Sequence, residues 1–426
     1  MSTETEQNRR GWIIVGAIFV TMFFIWGAIN SSAVFFVPII KHFGWSRTKL
    51  SVAFSIGWVT GGAAGPLIGW LADRVNPKKM MMVGATITGL AYLVLSRATN
   101  FGEILAINGL FGICVGASTV IPCSIVIASW FTARRGLAMG IAFAGGTLGG
   151  ALMTIVANYA IASGGWRFGY LTLGLPILVV VVPLIVIFIR TRTAAEIRES
   201  NQVLDAVVEN ADEPVVPIEL PGLEISQARK TRSFWMISVA QLIGGVALIG
   251  MGPHFVAYLT GVGYTASFAA TVVSLYLVAT TAGTLLGGPF ADRWGARSAM
   301  IATNILAALG MVGLFAASHP LGLAISILAG GFAAGAISVQ MPLMIIESLG
   351  IKRFGSVYGI TSIFFTAGAA VSPVVTGRVF DQTGSYSVVI ASFAMMFIVC
   401  AVAISATRTL ERELIQFAPE PREAAA

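Results

Sequence analysis

Stretches of about twenty apolar residues recur along this chain with only short polar breaks between them, and a helix of that length matches the hydrocarbon core of a bilayer. The first begins at Trp12, and others follow near 50–71, 79–96, 104–130, 136–161 and 168–189. After a polar stretch at 190–232, six more lie near 234–258, 267–290, 298–317, 321–347, 355–379 and 387–406. Charged residues make up 11% of the chain and apolar residues 56%. A soluble domain carries roughly 25% charge, so this composition leaves membrane insertion as the route to a fold. The run from Trp12 is too long for a signal-peptide core and lacks a clear cleavage site, so it reads as the first span. The expectation is an all-α integral membrane protein of twelve transmembrane helices in two pseudo-symmetric six-helix bundles. Its divisions are an N-terminal tail (1–11), a bundle (12–189), a connector (190–232), a second bundle (233–407) and a C-terminal tail (408–426).

The symmetry is written into the loops. GPLIGWLADRVNPKK at 65–79 recurs in outline as GGPFADRWGAR at 287–297, and the two Asp-Arg pairs, Asp73-Arg74 and Asp292-Arg293, lie 219 residues apart. The same offset carries Gly44 onto Gly263, Gly69 onto Gly288, Arg134 onto Arg353, Gly136 onto Gly355, Gly140 onto Gly359 and Gly165 onto Gly384. The chain is therefore a duplicated unit. A carboxylate at Asp73 or Asp292, where a helix leaves the membrane, can accept from the free N–H groups of a neighbouring helix N-terminus and oppose its dipole. Such a contact can form in one arrangement of two bundles and break in the other. Asn76 occupies the place of Gly295, which predicts a turn with positive φ in both copies.

Lys and Arg favour the cytoplasmic side of a membrane protein. With the N-terminus inside, twenty of them fall on inner loops and tails and six on outer ones, which predicts cytoplasmic termini and a cytoplasmic connector. Pro214, Pro217 and Pro221 argue against a long regular helix in the second half of that connector. The net charge of +7 is dispersed among short connections, so no nucleic-acid surface is expected. The cysteines Cys114, Cys123 and Cys400 sit inside apolar runs and read as buried thiols. Gly57, Gly61, Gly65 and Gly69 recur every fourth residue in the second span, a smooth ridge that permits close helix approach. Glycines at 136, 140, 145 and 149, at 283 and 287, and at 355 and 359 mark further crossings. Pro122 and Pro373 are expected to kink the fourth and eleventh spans.

Together the paired Asp-Arg loops, the six-plus-six layout and the long middle loop resemble the major facilitator superfamily across essentially the whole chain. Within it, FGWSRT at 43–48, WFTARRGLAMG at 130–140, GWR at 165–167 and VFDQTGSY at 379–386 resemble the monocarboxylate transporter and oxalate:formate antiporter branch. The resemblance implies a central cavity between two bundles and alternating access driven by gradients. The sequence agrees on energy source, since no G-x-x-x-x-G-K-[ST] loop for ATP occurs in it. It also departs from the branch. The first-span Lys of monocarboxylate transporters corresponds to Asn30 here, their eighth-span Asp and Arg to Thr280 and Thr284, and the Lys of the oxalate antiporter's eleventh span has no counterpart.

Ionisable side chains within spans are expensive and mark function where they occur. Here His254 is the one imidazole well inside a span, able to bind an anion or exchange a proton, or else to hydrogen-bond a neighbouring helix. His254, Asn30, Tyr276, Thr280, Thr284, Gln340 and Thr366 are the candidate substrate-binding residues, each equally at home in interhelical hydrogen bonds. Asp73, Arg74, Asp292, Arg293, Arg134 and Arg353 are the candidate conformational gate. No cofactor or metal is expected, and no paired carboxylates or nucleophile–base set suggests an enzyme. The expected partners are the lipid bilayer, a small organic anion, and a proton or counter-anion. The expected activity is secondary transport of that anion, a monocarboxylate first, across a bacterial plasma membrane. Transport of a largely neutral compound and a non-transporting receptor on the same fold are the alternatives.

Overall fold

The computed structural model describes residues 2–132, 134–192 and 221–417. Most of the connector, with Pro214 and Pro217, and the last nine residues of the C-terminal tail lie outside them.

Eleven helical runs among the described residues are long and apolar enough to cross a bilayer. They are Arg9–Phe43, Lys49–Ala72, Pro77–Leu95, Phe101–Trp130, Arg135–Phe188, Arg232–Val262, Ser267–Trp294, Ala296–Phe315, Pro320–Leu349, Phe354–Thr383 and Ser387–Ser405. Arg135–Phe188 is 54 residues long, which at 1.5 Å per residue would be about 80 Å if straight. It is two spans: Gly165, at φ 76° and ψ 175°, breaks it with a conformation that a side chain would oppose. Counted across that break, the spans number twelve, and they are called first to twelfth in chain order.

Helix crossings repeat between the halves because the glycines that permit them do. A Cβ on Gly149 of the fifth span would strike the Phe23 carbonyl of the first, and a Cβ on Gly368 of the eleventh would strike the Leu242 carbonyl of the seventh. Both partners obey the 219-residue offset. Gly57 and Gly61 meet Asn108 and Gly112 of the fourth span, as Gly283 and Gly287 of the eighth meet Phe332 and Ala336 of the tenth. Without side chains at these points the backbones come into van der Waals contact, which is how helices associate where lipid removes any hydrophobic drive.

Several spans are interrupted. The first is divided at Ser31, whose hydroxyl donates to the Gly27 carbonyl at 2.7 Å. Its counterpart, Gly250, follows the end of the helix Arg232–Ile249, and a 3₁₀ turn at Gly252–His254 leads into the rest of the seventh span. The fourth breaks at Thr119 (φ −119°, ψ −115°), three residues before Pro122, so the kink expected there is present. The eleventh runs unbroken through Pro373 from Phe354 to Thr383. One turn expectation fails in part. Gly295 does take positive φ, at 81°, but Asn76 sits at φ −56° and caps the third span by accepting from the Lys78 N–H at 2.9 Å. In the second half a different residue supplies that cap: the Ala296 N–H donates to Glu347 Oε2 at 2.6 Å.

Candidate functional site

At the end carrying the Asp-Arg loops, the halves are joined by two matching latches. Asp73, closing the second span, accepts from the Gly355 N–H at 2.8 Å and the Ser356 N–H at 2.9 Å, at the start of the eleventh. Asp292, near the end of the eighth, accepts from the Gly136 N–H at 2.6 Å and the Leu137 N–H at 2.8 Å, at the start of the fifth. Each carboxylate thus satisfies two N–H groups that a helix start leaves without a partner and faces the positive end of its dipole. Hydrogen bonds to a charged acceptor contribute about 1.5–3 kcal/mol each. Burial pushes the Asp73 carboxyl above its ordinary range, against the opposing pull of Ser356, Gly355 and Arg353.

Glycines let the carboxylates reach. Gly69 crosses Gly355 and Gly288 crosses Gly136 so closely that a Cβ on any of the four would overlap the partner's backbone. The contact continues as Gly65 on Gly359, Gly62 on Thr366, and Gly140 on Leu285. Beyond Gly62 and Thr366 the second and eleventh spans part, leaving Trp58, Val371 and Val374 exposed.

Of the arginines expected at a gate, Arg134 and Arg353 hold corresponding N-cap positions with nearly the same backbone, φ −117° and −126° with ψ 34° in both. Arg353 also pairs with Glu224 at 2.9 Å, and Lys352 with the same carboxylate at 3.3 Å. Those contacts, led by the Arg353 hydrogen bond, hold the Glu224 carboxyl below its usual range. Glu224 ends a strap from the connector: the Leu223 N–H donates to the Leu349 carbonyl, the Ile351 N–H donates to that of Pro221, and Leu223 is buried. The Arg74 guanidinium stacks over Trp70, 4.0 Å from the ring centre. Among the described residues, no contact of the Arg293 side chain supports a gating role.

A cavity of about 410 Å³ lies among the first, second, third, fourth and eleventh spans. Of the residues expected to bind substrate, Asn30 and Thr366 line it. The other five do not. His254 is held within the second half, Nε2 at 3.1 Å from the Pro373 carbonyl and Nδ1 at 3.2 Å from the Tyr386 hydroxyl. The carbonyl can only accept, so Nε2 carries a proton, while the Tyr386 hydroxyl holds Nδ1 from the other side. Tyr276 donates to the Gly330 carbonyl, Thr280 and Thr284 donate to carbonyls of their own helix, and the Gln340 amide donates to that of Gly287. Sequence reasoning passed over Tyr92, Asn108 and Phe111 as cavity residues. The signal that could have found Asn108 was the glycine ridge on the second span, whose Gly57 and Gly61 meet the fourth span at Asn108 and Gly112 beside the cavity.

The family model for the Major Facilitator Superfamily matches residues 17–271 and 255–425. Monocarboxylate transporter 13 of Bos taurus is 24% identical over 390 residues, 90% of this chain and 86% of that protein. An uncharacterized MFS-type transporter, YcxA of Bacillus subtilis (strain 168), is 25% identical over 428 residues, 95% of each chain. Among solved structures, the fucose:proton symporter of E. coli superposes with a TM-score of 0.70 at 14% identity, covering 92% of this chain and 98% of that one. With the matched fold, the duplicated latches and a family model spanning both halves, this chain belongs to the major facilitator superfamily and is a transporter rather than an enzyme.

Proposed function

We propose that this protein is a secondary transporter of a small organic anion, in the first place a monocarboxylate, working by alternating access in the plasma membrane of a bacterium. The observation that carries the access mechanism is the pairing of latches at one end with a cavity beyond them: substrate can enter only from the unlatched side until both latches release. The Lys and Arg bias puts the latched end and both termini in the cytoplasm, so the arrangement faces outward. Asp73 and Asp292 act as the gate, with Arg134 and Arg353 at the helix starts they hold. Arg74 and Arg293 complete the loop pairs. The monocarboxylate assignment rests on the names of the relatives and on the motifs at 43–48 and 130–140. Asn30 and Thr366 contribute to the binding wall, and His254 braces the seventh span.

One observation favours a second reading, transport of a neutral solute: among the described residues no charged side chain lines the cavity. Uptake of labelled acetate, lactate and benzoate into proteoliposomes, with and without an inward proton gradient, separates the two. Gradient-stimulated uptake of any of them supports a proton-coupled carboxylate carrier, and uptake indifferent to the gradient keeps the carboxylate and discards the proton. Failure of all three to enter or compete, in protein stabilised by a neutral solute, overturns the anion in favour of that second reading.

A further inference from the structure

The cavity wall has a chemistry of its own. Its serine and threonine hydroxyls are already committed: Ser32 donates to the Ile29 carbonyl, Thr119 to Val115, Ser362 to Gly359 and Thr366 to Ser362. Toward the cavity they offer lone pairs, which repel an anion. The donors left over are on other residues. Within the described residues, the Asn30 amide, the indole N–H groups of Trp26 and Trp58, and the hydroxyls of Tyr92 and Tyr358 form no hydrogen bond to the protein, and all five residues line the cavity. By contrast, the indoles of Trp130 and Trp235, outside the cavity, do bond to backbone carbonyls. Trp26 and Asn30 lie one turn apart on the first span. Trp26 and Trp58 face each other across two spans with ring centres 6.4 Å apart and planes tilted by 44°, too close to admit a third ring between them. They therefore form one aromatic wall, and Tyr92 against Phe111, with ring centres 4.4 Å apart, is a second aromatic pair on the lining.

From these observations we infer that the substrate is a monocarboxylate bearing a flat ring, its carboxylate taken by the neutral donors of Asn30, Trp26 and Trp58 and its ring laid against the aromatic wall. The inference rests on the monocarboxylate reading above and narrows it. Neutral N–H donors form charge-assisted hydrogen bonds with a carboxylate without the desolvation penalty of a buried cation. An aromatic body gains from offset or edge-on contact with the wall. The cavity volume, about 410 Å³, is in the range that encloses ligands larger than a three-carbon acid.

Competition and uptake in proteoliposomes test it, with protein-free vesicles as the background for passive entry of the acids. Benzoate and phenylacetate are expected to show KM values at least tenfold below that of lactate. Trp58→Phe, which keeps a ring and loses the donor, is expected to raise the benzoate KM about tenfold. Asn30→Asp, which sets a negative charge at the same place, is expected to abolish benzoate uptake. Thermal unfolding of both variants near the parent temperature shows that the loss is not one of folding, and Asn30→Leu serves as a second variant should Asn30→Asp unfold. If lactate enters as well as benzoate and Trp58→Phe changes neither, the ring and its site are overturned while the monocarboxylate carrier stands. Should no carboxylate enter at all, both readings fall. Competition by benzamide as strong as by benzoate overturns the carboxylate and keeps only the aromatic wall.

Discussion

The latched end of the molecule and the cavity obey different rules of symmetry. At the latches every partner has its counterpart 219 residues away: Asp73 and Asp292, Gly69 and Gly288, Gly136 and Gly355. In the cavity the counterparts have lost their chemistry. Trp26 corresponds to Gly245, Asn30 to Ile249, Trp58 to Leu277, Tyr92 to Met311 and Phe111 to Gly330. The exchange also runs the other way, since Gly57, Gly61 and Gly65, which line the cavity, correspond to Tyr276, Thr280 and Thr284, which do not. A rocking motion about a two-fold axis needs both halves to close alike. Holding one asymmetric solute does not, so the duplicated unit kept its joint and let its interior diverge.

The most forceful way to break this comparison is at the crossings. Gly355→Val and Gly136→Val each place side-chain atoms on a partner's backbone, and overpacking of that kind, about 1–3 kcal/mol, is expected to lower transport by up to a hundredfold at equal membrane abundance. Initial uptake rates read this directly, and tolerance at one site alone would show that the joint is not symmetric. Next come the carboxylates. Asp73→Asn and Asp292→Asn should each lower transport about tenfold while leaving equilibrium ligand binding largely intact; parallel loss of binding would move Asp73 or Asp292 from gate to site. His254→Ala removes two hydrogen bonds, worth about 1 kcal/mol each, so the unfolding temperature should fall by a few degrees with KM unchanged. A raised KM would return His254 to the substrate. The smallest effect is expected from Leu277→Phe, a ring at the counterpart of Trp58, which should leave uptake within about twofold of the parent.

Span number, the two-bundle layout and the latch chemistry were legible in the sequence because each is local or repeated: apolar run length, a fixed offset, a carboxylate beside a helix end. The site was legible only in part. Polar residues in the eighth and tenth spans looked like cavity groups, yet Thr280 and Thr284 return their protons to their own helix and Tyr276 ties the eighth span to the tenth. His254 attracted interest by being titratable, but the Pro373 carbonyl and the Tyr386 hydroxyl that occupy its ring are more than a hundred residues away. No pattern along one chain reveals such partners. The glycine ridge reads as a surface for packing and is one along its length: Gly57 and Gly61 meet the fourth span, and Gly62, Gly65 and Gly69 the eleventh, while the cavity beside it is lined by aromatic and amide side chains of the neighbouring spans.

The strap at Pro221–Glu224 bears on how the duplicated units could be separated and rejoined. Its hydrogen bonds to Leu349 and Ile351 and its pairing with Lys352 and Arg353 are all to the second half. The final residues of the linker are therefore part of the downstream partner's architecture. A gene divided ahead of codon 221 would yield two polypeptides, the second carrying its own brace for the eleventh span, whereas division after codon 224 would strip that brace from the piece that needs it. Assembly of co-expressed fragments should depend on which side of those four residues the chain is cut.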